Sequence, residues 1–140
     1  MVQNLEKYFS PEQVFYLNSV NYKMMEIAST ENTLNCIDNI SVEVNDAEGV
    51  KVVLTRSLKF NPEGIFELNV SFGANLQFNE ETKNEINWHE INLAEEFRAN
   101  GDFVMQNLLN RISLLIAEVT ASFGQSPIIL PPVLAGNKRE

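Results

Sequence analysis

The chain has 140 residues, of which 44% are hydrophobic, and its formal net charge is −9. This length predicts a single domain, residues 1–140, that buries roughly two-thirds of the surface of the unfolded chain. The negative charge repels phosphate groups, so nucleic acid is not an expected partner, and no apolar stretch approaches the roughly 20 residues of a membrane span.

The residues that usually carry chemistry are scarce. Cys36 is the only cysteine and His89 the only histidine, so neither an intrachain disulfide nor a Cys/His metal site is expected. There is no glycine-rich phosphate loop, no nucleophile elbow and no secretory signal at the N-terminus. The sequence therefore predicts a cytoplasmic protein that is not an enzyme and needs no cofactor.

Near the N-terminus, helix and strand signals compete. Ser10, Pro11 and Gln13 are placed as in a helix start, with Ser at the cap and Pro in the first turn. Beyond them the apolar residues fit a helix poorly, whereas β-branched and aromatic side chains favour a strand. We expect a short turn followed by a first strand from about Phe15 to Ala28.

Three further segments alternate apolar and polar residues as strands do. They are 40–45, 50–60 and 66–78, and in the last one every even position is apolar. Segments 46–49 and 61–64 have the Asp or Asn start and the Gly of four-residue turns, so the strands should form an antiparallel meander. Arg56 and Val53 break the alternation, and Gly73 is the expected site of a kink in the last strand.

The connection 79–101 is acidic but also contains large apolar residues. The stretch from Glu80 to Asp102 contains seven acidic residues and two basic ones. This excess of negative charge indicates a solvated face or a docking surface for a basic partner. Trp88, Ile91 and Phe97 lie in the same stretch. A connection of this length is expected to have a function or local structure of its own.

A long helix is predicted over 102–123, with Asp102 as its cap and Gly124 ending it. The helix is apolar over a wide arc, so one side should meet the sheet while another meets a second subunit or a ligand. We expect Met105, Leu109 and Ile116 to line an oligomer interface. An extended tail, 125–140, follows. The predicted fold class is thus α+β, a four-stranded antiparallel sheet over about 15–78 followed by one long helix.

The order and spacing of these segments resemble the SecB-like protein-export chaperones. The likeness rests on Leu17 to Lys23, on Val70, Gly73 and Phe78, and above all on the run from Asn107 through the Gly124 break to Pro132 and Val133. The resemblance implies an oligomer, a dimer or tetramer, that binds unfolded or extended polypeptide in apolar grooves.

The resemblance also implies where the groove lies. In this family a crossover segment beside the long helix borders the groove, so Trp88, Ile91 and Phe97 would line it, together with Phe103. The alternative is that Trp88 and Phe97 only fix the connection to the edge of the sheet.

Several family features are missing. The acidic residues that dock the SecA motor fall on Met24, Ala28 and Asn69, the Cys-Pro that opens the family's long helix is absent near Val104, and no second helix follows. A link to SecA is therefore doubtful. Two functions stay open: a chaperone for unfolded clients, or an adaptor for one dedicated partner such as an antitoxin or a phage product.

Overall fold

The computed structural model describes residues 2–26, 31–122 and 126–135. Within them lie one antiparallel sheet and two α-helices. The strands are β1 (Phe9–Met24), β2 (Thr33–Asn45), β3 (Gly49–Asn61) and β4 (Phe66–Phe78), and the helices are α1 (Leu93–Asn100) and α2 (Asp102–Ala121). The spatial order of the strands is β1-β4-β3-β2. This confirms the predicted α+β class, with α1 as an additional element.

The helices cover one face of the sheet, called the inner face below. Val50 pairs with Leu76, and Leu58 pairs with Leu68, so the even positions of β3 and β4 share this face. Most of these side chains are fully buried. Burying one Val or Leu side chain contributes about 1.5–3 kcal/mol, which explains why the alternation in the sequence fixes the register of the central strands.

The first strand begins earlier than predicted. Phe9 already belongs to β1, its ring is stacked on Phe78 at 5.7 Å, and Pro11 lies inside the strand. The register of β1 against β4 is irregular between Phe9 and Gln13, so the missing N–H of Pro11 disturbs no regular ladder. The short turn predicted before Phe15 is therefore wrong, because residues 10–14 already belong to β1. Ala28, the predicted end of the strand, lies outside the described residues.

Gly73 does not kink β4, which pairs regularly with β3 on both sides of it. The irregularities lie in β1, where a register shift falls between Leu17 and Ser19. Gly73 instead faces Tyr16, and a Cβ at position 73 would lie 2.3 Å from the Cζ atom of that ring. The glycine is required because an aromatic ring crosses the strand at this point.

Helix α1 arises inside the acidic connection. The Asn92 side chain accepts a hydrogen bond from the N–H of Glu95 at 3.2 Å, which is an N-cap, and Leu93 and Phe97 are buried one turn apart. Helix α2 follows after Gly101, which takes the cap position predicted for Asp102. Gly124 lies outside the described residues. No helix among the described residues is long and apolar enough to cross a membrane.

Helix α2 packs on β4 and β3. Its buried side includes all three residues that the sequence assigned to an oligomer interface, Met105, Leu109 and Ile116. That assignment has to be corrected, because these side chains already fill the core of the single chain. The apolar residue that α2 leaves most open to solvent is Leu114, which is 64% exposed.

Candidate polypeptide-binding surfaces

An aromatic cluster fixes the acidic connection to one end of the sheet. Phe9 lies at its centre, with ring centroids of Trp88, Phe97 and Phe103 between 5.6 and 6.2 Å away. Trp88 and Phe97 are buried, and the indole N–H of Trp88 donates to the carbonyl oxygen of Lys83 at 2.9 Å. Phe97 therefore belongs to the core and cannot line an open groove, and Phe103 is partly buried beside it.

A cleft lies where the connection passes the edge strand β2. Its volume is about 640 Å³, and its apolar lining comes from Val42 and Val44 of β2 and from Trp88, Ile91 and Ala94. Of the four residues predicted to line a groove, the structure thus brings Trp88 and Ile91 to one cleft, although Trp88 is only 6% exposed. Phe97 and Phe103 do not line it.

His89 lies among the polar residues that line the cleft. His89 contacts Asp46 at 2.8 Å, and both side chains are well exposed to solvent. No group of His, Cys, Asp and Glu side chains among the described residues is arranged to hold a metal ion. The polar residues that line the cleft, such as Glu43 and Asn92, are exposed to solvent.

Further along β2, the inner face carries a buried ion pair, which was not predicted as a site from the sequence. Arg56 of β3 lies directly opposite Asp38 of β2. Its Nε and Nη2 atoms donate to the two carboxylate oxygens of Asp38, each at 2.8 Å, and both residues are only 2% exposed. Hydrogen bonding to Asp38 raises the pKa of the Arg56 guanidinium, so this side chain stays charged.

The C-terminal tail, residues 126–135, covers this ion pair. Arg56 Nη1 donates to the carbonyl oxygen of Pro131 at 3.2 Å, and Nη2 donates to that of Val133 at 2.6 Å. The N–H of Ala135 donates to Asp38 Oδ2 at 2.6 Å. All three contacts reach main-chain atoms of the tail, at every second residue.

Two contacts with α2 hold the tail along its length. The N–H of Ile128 donates to the hydroxyl oxygen of Thr120 at 2.8 Å, and the amide of Gln106 donates to the carbonyl oxygen of Pro132 at 3.3 Å. Helix α1 adds Arg98, whose Nη2 donates to the carbonyl oxygen of Asp38 at 3.1 Å. The ion pair is thus enclosed by β2, β3, α1 and the tail.

Cys36 lies two residues before Asp38 in β2 and is half-buried. Burial raises the pKa of its thiol, and the positive charge of Arg56 opposes this rise. A raised pKa keeps the thiol protonated near neutral pH, so Cys36 is a poor nucleophile.

At the opposite edge of the sheet, the inner face of β1 is left uncovered. Arg111 of α2 lies 4.7 Å from the ring centroid of Phe15, a partly buried residue of this strand. Beyond it, apolar side chains are exposed to solvent, including Leu17 at 53% and Met24 at 78%; Val20 and Tyr22 are also exposed. Pairing of Val20 with Val70 and of Met24 with Phe66 places these side chains on the inner face.

No protein-family model matches the sequence, and no curated protein matches it. Among solved structures, the chain is similar to the SecB-like chaperone Rv1957 of Mycobacterium tuberculosis in complex with a ChAD peptide from the HigA1 antitoxin. The TM-score is 0.63 at 14% sequence identity, and the match covers 84% of this chain and 86% of that one. The chain has a SecB-like fold.

A protein of unknown function from Streptococcus agalactiae also matches at 14% identity, over 86% of this chain and 97% of that one. Its TM-score is 0.37, which is too low to support an argument about fold. The mycobacterial structure, together with the strand order and the placement of the helices, therefore supports the SecB-like fold.

Proposed function

We propose that the chain is a non-enzymatic chaperone subunit that binds unfolded or extended polypeptide, and that the cleft beside β2 is where binding begins. The observation that carries the proposal is the position of this cleft. Val42 and Val44 of its apolar lining belong to β2, which pairs with β3 alone among the described strands, and Ile91 lies beside them. An edge strand offers main-chain hydrogen bonds to an extended segment, and adjacent apolar pockets accept alternate side chains of that segment.

Charge and composition support the same proposal. A holding chaperone exposes apolar surface and therefore needs net charge to stay dispersed, and this chain carries −9. The mycobacterial protein with the same fold was solved with a bound peptide, which supports polypeptide as the class of ligand. We place the protein in the cytoplasm, and the proposal requires neither a cofactor nor SecA.

We also propose that the functional form is a homo-oligomer, either a dimer or a tetramer. The uncovered inner face of β1 and the exposed Leu114 of α2 are the surfaces proposed for contact between subunits. An edge strand with exposed apolar side chains tends to pair with another chain unless something covers it. A second copy would cover both features at once.

The cleft is tested by a pair of variants. Ile91→Ser removes an apolar lining residue, whereas Ile37→Ser removes a more exposed apolar residue from β2 outside the lining of the cleft. Aggregation of a chemically denatured client is followed by light scattering at equimolar amounts, with thermal unfolding of each variant as a control for folding. We expect Ile91→Ser to suppress aggregation several-fold less well than the wild type, and Ile37→Ser to match it. No suppression by the wild-type protein contradicts the chaperone function.

A second function is favoured by one specific finding. The similar mycobacterial structure holds a peptide from an antitoxin, so this chain can be proposed as an adaptor for one dedicated partner instead. Native mass spectrometry of the complex purified from its own host separates the two. One stoichiometric protein supports the adaptor, and a spread of unfolded clients supports the general chaperone.

A further inference from the structure

We propose that the Arg56–Asp38 pair is a second binding site for extended polypeptide, that it recognises main-chain groups, and that the tail 126–135 occupies it until a client segment takes its place. This inference deepens the proposed function and rests on it for the identity of the incoming ligand. The ligand is an extended segment with apolar side chains at alternate positions. Its carbonyl oxygens would face Arg56 and one N–H would face Asp38.

The first support is the kind of contact that the pair makes. The carbonyl oxygens of Pro131 and Val133 and the N–H of Ala135 come from alternate residues, and the chain bends at Pro132 and Val133 between them. No side chain of the tail contributes to these bonds. Another segment that follows the same path can therefore present the same three groups, whatever its sequence.

The second support is how little of the tail is buried. Ile129 is 78% exposed and Val133 is 59% exposed, while Ile128, Leu130 and Leu134 are half-buried against the core. Another segment with small or medium apolar residues at alternate positions could fill the same space. The tail is held by main-chain hydrogen bonds and by three half-buried apolar side chains. A client segment can make the same kinds of interaction in its place.

The third support is electrostatic. Arg56 and Asp38 lie within the apolar inner face, where a charged group needs hydrogen-bond partners to offset its desolvation. Loss of the tail alone would remove two acceptors from Arg56 and one donor from Asp38. A client segment that replaces the tail restores those hydrogen-bond partners. The ion pair therefore favours a site occupied by the tail or by a client over a site that is empty.

Helix α1 separates this second site from the cleft. Val44, Val42, Ile40 and Asp38 follow one another at every second position on the inner face of β2, and Val44 lies six positions from Asp38, about 20 Å at 3.3 Å per residue. Ile40, between the two sites, is buried where α1 packs on β2. A client segment at the ion pair therefore competes there by itself with a tethered tail, whose effective concentration is in the millimolar range (~mM).

The test uses the full-length protein and a fluorescent peptide with the sequence of residues 126–135, SPIILPPVLA. The double variant Leu130→Asp, Leu134→Asp weakens the half-buried contacts of the tail and leaves Arg56 and Asp38 intact. The matched control, Ile129→Asp with Val133→Asp, introduces the same charge at exposed positions of the same tail. We expect the peptide to bind the first variant at least about 10-fold more tightly than it binds the wild type or the control, as measured by fluorescence anisotropy.

Two results would overturn the proposal. One is equal affinity of the peptide for all three proteins, including no binding to any of them. The other is found by hydrogen exchange on the wild-type protein with a bound client. We expect the Ile128 and Ala135 amides to exchange faster when a client is added. Unchanged protection of these amides while a client is bound would mean that the tail stays in place. This measurement needs no substitution at the ion pair.

The two proposals can fail separately. If the labelled peptide binds the loosened variant but no client is held, the main-chain site stands and the chaperone function falls. If clients are held while the tail stays protected, the chaperone function stands and the exchange of segments falls.

Discussion

The two edges of the sheet carry similar amphipathic strands and are covered in opposite ways. At β2, helix α1, Arg98 and the tail enclose the inner face, and a buried ion pair lies beneath them. At β1, Arg111 of helix α2 contacts Phe15, and apolar side chains later in the strand are exposed. An alternating pattern therefore determines which side chains share a face, but not whether anything covers that face.

The largest expected effect comes from the covered edge. Arg56→Ala leaves the carboxylate of Asp38 buried without its partner, so we expect a loss of about 3–5 kcal/mol in the free energy of unfolding. Urea denaturation gives the value. The double variant Arg56→Met, Asp38→Leu removes both charges and should recover most of the loss. A loss below about 1 kcal/mol for Arg56→Ala would mean that the pair is far better solvated than its burial indicates.

The uncovered edge should respond in assembly and not in folding. Leu17→Glu with Met24→Glu places two carboxylates on the proposed subunit contact, so the dissociation constant should rise at least about 100-fold, or about 2.7 kcal/mol. Sedimentation velocity over a concentration series measures this change. At a protein concentration low enough for both proteins to be monomeric, the unfolding free energy should stay within about 0.5 kcal/mol of the wild type, because both positions are exposed.

The control for that variant is Val14→Glu, which adds a carboxylate to an exposed apolar position of the same strand on the outer face, opposite Asn75. It should leave the assembly intact. A wild-type protein that sediments as a monomer well above ~10 µM, the range of ordinary interface affinities, contradicts the proposed oligomer.

A smaller effect is expected where β1 is joined to the rest of the sheet. Gly73→Ala places a methyl group against the Tyr16 ring, so the free energy of unfolding should fall by about 1–3 kcal/mol as the ring is forced aside. Thermal or urea unfolding measures the change. In a Tyr16→Ser background the same substitution should cost much less, which a double-mutant cycle reports as coupling between the two positions. Additive costs would show that the ring does not need the glycine.

The sequence pattern predicted the sheet well because its central strands alternate cleanly. The even positions of β4 are apolar without exception, and the structure buries nearly all of them. Prediction was weaker at the acidic connection, where α1 has only eight residues and one Asn cap. A helix this short is marginal by itself and is stabilised by packing against β2 and α2, which no local pattern reports.

The candidate site shows the same limit. Trp88 and Ile91 were expected to lie together and do so, whereas Phe97 turned out to be a core residue because α1 directs it inward. Arg56 was visible in the sequence only as a break in an apolar face. A charged residue at an inward position of a strand signals a buried partner, but that partner, Asp38, is 18 residues away and is identified only by the strand register.

By itself the sequence determined the α+β class, the turns between β2, β3 and β4, the long helix and the faces of the central strands, because local periodicity and turn chemistry act over a few residues. Tertiary structure alone decided which apolar surfaces are covered. It placed Met105, Leu109 and Ile116 in the core, left β1 open and laid the tail over Arg56 and Asp38. Those outcomes depend on contacts between residues far apart in the chain, and neither composition nor periodicity encodes such contacts.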